Sequence, residues 1–178
     1  MGLSASKRVS TTLFKSPDFN SVCDSVYEDC LTLTQHALPG VKPYQLVSAS
    51  ERLHCSLTTL HFLLITKWVP QPPSRSQVDR AFKAITIRRS KNTPPVQVQE
   101  EEGEVVLGPV EFKEFARELF TNAVVSNAGK AVLKSVPIGV AGIAGVGALT
   151  KSGKEVVGTV IGVYALGVAT SIYLSLSG

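Results

Sequence analysis

The segment PVEFKEFARELFTNAV, residues 109–124, carries the clearest repeating pattern in this chain. Its apolar residues recur every three or four positions, which places them on one face of a helix. This apolar set comprises Phe112, Phe115, Ala116, Leu119, Phe120, Ala123 and Val124. The pattern predicts an amphipathic helix over about residues 110–133, with its apolar face turned into a core.

Four segments upstream have weaker patterns of the same kind. They predict helices over about residues 19–37, 44–55, 56–69 and 75–87. Ser74 and Gln77 have the spacing of a capping box at the start of the last of these helices. Residues 88–108 are rich in Pro, Gly and Glu and predict a disordered loop. Residues 18–135 are therefore expected to form an all-α domain.

The last part of the chain, residues 136–178, differs in composition. It holds nine of the 14 glycines and only three charged residues. The uncharged stretch from Val156 to Leu176 would span about 31 Å as a helix, close to the roughly 30 Å hydrocarbon core of a bilayer. We expect residues 136–178 to form an apolar, Gly-rich helical hairpin that inserts into a membrane. A soluble hairpin packed on the helical domain is the alternative.

Small residues four positions apart let helix backbones approach closely within a membrane. The tail has two such pairs, Ala141 with Gly145 and Gly158 with Gly162. These residues are expected to pack helices together, either within the hairpin or between copies of the chain in a homo-oligomer.

The chain begins MGLSASKR, which matches the pattern for N-myristoylation of Gly2, with Ser6 at the required position. One myristoyl group binds membrane only marginally, so the tail would supply a second attachment. We expect residues 1–17 to be a flexible arm and the protein to lie at the cytosolic face of a membrane. The first 17 residues contain no acid, which also fits a transit peptide and a chloroplast or mitochondrial membrane.

Composition and motifs argue against several function classes. The net charge of +4 is small and no basic run is interleaved with aromatic residues, so nucleic acid is not an expected partner. The chain has neither a G-x-S-x-G elbow nor a Walker loop, and we expect no enzymatic activity. Three cysteines and no secretory signal indicate reduced thiols in the cytosol.

Two segments carry a family resemblance. Residues 76–85, SQVDRAFKAI, resemble the entering helix of an EF-hand, and residues 111–120, EFKEFARELF, resemble its exiting helix. With its arm and tail included, the chain resembles a group of plant proteins described as EF-hand-like. The resemblance implies a helix–loop–helix unit over about residues 74–121 and calcium as a ligand of its loop.

The loop itself departs from the EF-hand pattern. With Glu111 at loop position 12, Glu100, Glu102 and Glu104 take positions 1, 3 and 5, but Val105 stands where the turn needs glycine. In the alternative register a glycine supplies the turn and the bidentate ligand is lost. These four glutamates are the candidate calcium ligands, and the spacing favours a solvated acidic loop without metal.

Taken together, the sequence predicts a non-enzymatic, membrane-attached adaptor or calcium-sensor-like protein with a degenerate EF-hand-like unit. One alternative is an organellar integral membrane protein whose Gly-rich tail oligomerises as a scaffold or small pore. Another is a soluble, calcium-responsive regulator.

Overall fold

The computed structural model describes residues 2–34, 39–92, 105–149 and 154–176. Within these ranges the chain is helical and contains no strand. A 3-10 turn, Pro43–Gln45, precedes the third helix. The helices are α1 (Gly2–Lys15), α2 (Pro17–Leu33), α3 (Leu46–Thr59), α4 (Leu63–Trp68), α5 (Arg75–Asn92), α6 (Pro109–Leu149) and α7 (Lys154–Ser175).

Local sequence signals set several helix boundaries. The Ser16 hydroxyl accepts a hydrogen bond from the Phe19 N–H at 3.2 Å and caps α2, which has proline in its first turn. The Gln77 side chain accepts from the Ser74 N–H at 2.8 Å at the start of α5. His61 has a φ of 51° in the turn between α3 and α4. The predicted helices 44–55 and 56–69 therefore divide near residue 61 rather than near residue 55.

The core forms around the first half of α6, as its periodicity predicts. The rings of Phe112, Phe115 and Phe120 are fully buried. Phe19 of α2 meets Phe120 edge-on at 6.3 Å between ring centroids, and the Tyr27 ring lies 5.6 Å from that of Phe112. These contacts join α2 to α6, and the all-α class of the domain is confirmed.

The N-terminal segment differs from its prediction. Residues 2–15 form α1 instead of a flexible arm, and Val9 and Leu13 are completely buried. Ala5 is also packed against the core. These three residues lie four positions apart, on one helical face. The many Ser and Thr residues between them hide this short stripe when composition alone is considered.

The predicted segment boundaries shift as well. α6 continues without a break through residue 136, so the first arm of the tail is an extension of the core helix. The predicted loop 88–108 is shorter, because α5 continues to Asn92 and Leu107 is buried. Residues 93–104, and residues 150–153 between the two helices of the tail, lie outside the described residues.

Candidate functional site

Two loops meet beside the start of α6. Val41, between α2 and α3, pairs with Leu107, between α5 and α6, and each N–H donates to the other's carbonyl at 2.9 Å. Both side chains are buried. A Cβ on Gly40 would overlap the Leu107 carbonyl and the Val106 side chain, so the close approach of the loops depends on glycine at position 40.

The helices that flank this bridge form two similar pairs: α2 and α3 flank Val41, and α5 and α6 flank Leu107. Leu107 follows Val41 by 66 positions, and the same interval relates the buried faces of α3 and α6. An interval of 59 positions relates the buried faces of α2 and α5, so the second loop is longer by seven residues. The corresponding residues are Leu46, Ala49, Leu53 and Leu57 with Phe112, Phe115, Leu119 and Ala123, and Phe19, Val22 and Val26 with Val78, Ala81 and Ile85.

The chain therefore contains two helix–loop–helix units joined through their loops. The sequence indicated only the second unit. No residue from 34 to 45 is acidic, and the unequal loop lengths break a constant repeat interval, so neither the EF-hand pattern nor a search for repeats finds the first. The matching burial pattern of two helix pairs is the signal that reveals it.

Gln45 and Glu111 occupy the same place in their two units. Gln45 is buried; its Oε1 accepts from the Lys42 N–H at 2.9 Å, and its Nε2 donates to the Cys30 carbonyl at 3.1 Å. Glu111 is half-buried and also turns back toward its loop, because a Cβ on Gly108 would lie 2.7 Å from the Glu111 Oε2 atom. The first unit thus has a neutral amide where the second has a carboxylate.

A calcium site at this place would need six to eight oxygen ligands, several of them carboxylate. Of the predicted ligands, Glu111 is described, whereas Glu100, Glu102 and Glu104 lie outside the described residues. In the part of the chain that the structure describes, no three His, Cys, Asp or Glu side chains gather in a metal-binding group.

A cavity of about 270 Å³ lies beside Glu111, between the last turns of α5 and the first turns of α6. Arg88, Arg89 and Glu114 also line it, so both signs of charge are present. Arg88 donates to the Glu118 carboxylate at 2.9 Å. Because these arginines lie close to the carboxylates, their positive charge opposes the binding of a calcium ion there.

A separate feature is the base of the hairpin, where α1, α6 and α7 meet. A cavity of about 160 Å³ there is lined by Ala5 of α1, Ala128 and Val132 of α6, and Ile172 of α7, among other small and apolar residues. At the other end of α1, the Phe14 ring lies 5.5 Å from the guanidinium carbon of Arg117. α1 therefore runs antiparallel to α6, and Gly2 at its first position lies at the hairpin end of the domain.

A cation–π contact holds α1 to α7 at the same place. The guanidinium carbon of Arg8 lies 4.8 Å from the centroid of the Tyr173 ring. Leu176, just beyond α7, is buried against the core. The end of the tail is thus part of the domain's packing.

Between the helices of the hairpin, close approach occurs at a position that the sequence did not indicate. A Cβ on Gly139 would overlap the Tyr164 ring. Three of the predicted packing residues lie on exposed faces: among the described residues, no atom would lie within 4 Å of a Cβ on Gly158 or Gly162, and Ala141 is exposed. The side-chain surroundings of Gly145 lie outside the described residues.

α7 is long and apolar enough to cross a membrane. The candidate span, Val156–Ser175, has 20 residues and a mean hydropathy of 1.7, and none of its most apolar window is buried. Among the described residues, this helix meets the length and composition expected of a membrane span. Five large apolar side chains on α7 are exposed: Val156, Val160, Val163, Leu166 and Leu174.

Comparisons with protein-family models, with curated proteins and with solved structures found no match to this chain.

Proposed function

We propose that this protein is a non-enzymatic, membrane-attached adaptor, in which the α6–α7 hairpin enters the bilayer and holds the helical domain at its surface. The exposed apolar face of α7 carries the proposal, because Val163 and Leu166 remain 67% and 69% exposed on a helix of membrane-spanning length. Contiguous apolar surface of this kind marks a site that a partner or a membrane covers. A bilayer covers the apolar surface of such a helix along its whole length.

The dimensions of the hairpin support the same arrangement. From Leu149 back to Lys130, α6 extends about 29 Å, close to the roughly 30 Å of a hydrocarbon core. α7 returns antiparallel over a similar length, since Gly139 meets Tyr164 midway and Leu176 returns to the core. The start and the end of the hairpin therefore both lie next to the helical domain.

The N-terminus supports attachment from the same side. Gly2 begins a helix whose first turns pack at the hairpin base, so a myristoyl group there would enter the bilayer that the hairpin enters. Cleavage of a transit peptide near residue 17 would remove Val9 and Leu13, which are wholly buried. The burial of these side chains favours retention of the N-terminus over its removal as a transit peptide. Without a transit peptide, the cytosolic face of a membrane is the favoured location.

The domain is proposed to be EF-hand-like and to act through protein contacts rather than tight calcium binding. Two helix–loop–helix units joined by their loops support the resemblance. The absence of acidic residues from 34 to 45, and the arginines beside Glu111, support weak or absent calcium binding.

The membrane proposal is tested by alkaline carbonate extraction of membranes from cells that express the full chain. Gly2→Ala protein should stay in the pellet, because the hairpin alone anchors it. Adding Val163→Arg should release it, since arginine near the middle of a span costs about 2.5–3.5 kcal/mol of insertion free energy. Val163→Leu is the matched control and should stay in the pellet. Release of the Gly2→Ala protein with an intact tail would show that α7 is not embedded.

A second candidate, self-association of the tail as a scaffold or small pore, is favoured by one observation. Gly158 and Gly162 are exposed, and among the described residues no atom would lie within 4 Å of a Cβ added at either position, so their small-xxx-small surface is open to another copy. Cross-linking of the protein in proteoliposomes should then give oligomers that Gly158→Leu abolishes. A monomer at all lipid dilutions would exclude this candidate.

A further inference from the structure

A groove of about 450 Å³ lies where the end of α4 and the proline-rich connector, residues 69–74, pack beside α6. Lys67 and Trp68 lie on one side, and Asn127 and Lys130 of α6 lie on the other. The Asn127 Nδ2 donates to the Trp68 carbonyl at 2.7 Å and fixes the indole-bearing turn to α6. None of the described residues that line this groove is acidic.

Trp68 forms one wall of this groove. The residue is 8% exposed, and its Nε1 atom has almost no accessible surface and no acceptor within the described part of the chain. The indole therefore lines the groove as an aromatic wall rather than as a hydrogen-bond donor.

The charge of the groove indicates the chemistry of a ligand. Lys67 and Lys130 are both exposed, and the Lys67 Nζ lies 5.4 Å from the centroid of the Trp68 ring. Lys134 is exposed one turn further along α6. Two lysines in a groove without acidic lining residues suit an anion with several acceptor oxygens, such as phosphate.

The level of the groove along the hairpin specifies the source of the phosphate. Lys130 lies about 29 Å from the end of α6 at Leu149, the distance from one side of a hydrocarbon core to the other. The groove is therefore at headgroup depth when the hairpin is inserted. Tryptophan is enriched at this depth, and lysines there attract anionic lipids.

We propose that the groove binds the phosphate of an anionic phospholipid headgroup, with Lys67 and Lys130 as the neutralising charges beside the Trp68 ring. This inference rests on the proposed insertion of the hairpin. It adds a defined lipid contact that orients the domain on the membrane surface.

The test uses full-length protein in nanodiscs of phosphatidylcholine alone or with phosphatidylglycerol, and native mass spectrometry to measure how much phosphatidylglycerol the released protein retains. Lys67→Gln and Lys130→Gln should each lower retention about fivefold, which corresponds to about 1 kcal/mol for one lysine at a membrane surface.

Lys15→Gln and Lys83→Gln remove the same charge at exposed positions outside the groove and should leave retention unchanged. An equal loss in these controls would mean diffuse surface attraction and would overturn the proposal. Displacement of the lipid by millimolar inorganic phosphate would point to a soluble anion and would also overturn it. Failure of the protein to enter pure phosphatidylcholine nanodiscs would instead refute the inserted hairpin, so the two failures are distinguishable.

Discussion

Replacement of Leu13 by alanine tests whether α1 belongs to the folded domain. Leu13 is completely buried, and truncation of a buried leucine to alanine costs about 2–5 kcal/mol through lost burial and the cavity left behind. For a chain of 178 residues, each kcal/mol shifts the unfolding midpoint by about 2–4 °C. A cost near 3 kcal/mol therefore predicts a midpoint lower by about 6–12 °C.

The assay follows the fluorescence of Trp68 during heating of the full-length protein in a mild detergent. Trp68 is the only tryptophan and is buried in the helical domain, so the signal does not report on the hairpin. Phe14→Ala is the matched control, because Phe14 is 63% exposed and its ring contacts Arg117. Its loss should cost about 1 kcal/mol or less.

Equal midpoints for Leu13→Ala and Phe14→Ala would refute the reasoning. Residues 2–15 would then be detached from the domain in solution, and the N-terminus would again be free to act as a flexible or cleavable segment.

Four further predictions concern other parts of the structure. Gly139→Leu should reduce the fraction of protein that stays monodisperse after heating in detergent, because the new side chain meets an aromatic ring of α7, whereas Gly167→Leu faces open space and should not. Burial raises the pKa of the Cys23 thiol to about 12 from an ordinary 9.0, so a thiolate-directed reagent at pH 8.5 should label exposed Cys55 first. Because the unfolded thiol releases its proton near pH 9 while folded Cys23 does not, this group's contribution to stability should fall as pH rises from 9 toward 12, and urea titrations of Cys23→Ala should show a shallower loss. Calorimetry with micromolar calcium should give little heat, and a tight site that Glu111→Gln removes would contradict the proposed calcium-independent domain.

Much of the fold could be predicted from the sequence, because periodic apolar residues dictate which face of a helix is buried. The alternation of Phe112, Phe115 and Phe120 with charged residues determined the core helix and its orientation. The apolar stretch of α7 could also be predicted, since length and hydropathy are properties of the sequence alone. The myristoylation pattern at Gly2 and the calcium ligands of the acidic loop remain predictions.

Only the tertiary structure revealed the first helix–loop–helix unit and the role of α1. The pairing of Val41 with Leu107 joins residues 66 positions apart, and no local pattern encodes a contact of that separation. The same is true of Gly139, whose importance depends on Tyr164 lying opposite, and of Gly158 and Gly162, which have the right spacing but face away. Spacing along one helix determines which residues share a face, whereas the packing of a second helix decides which face is used.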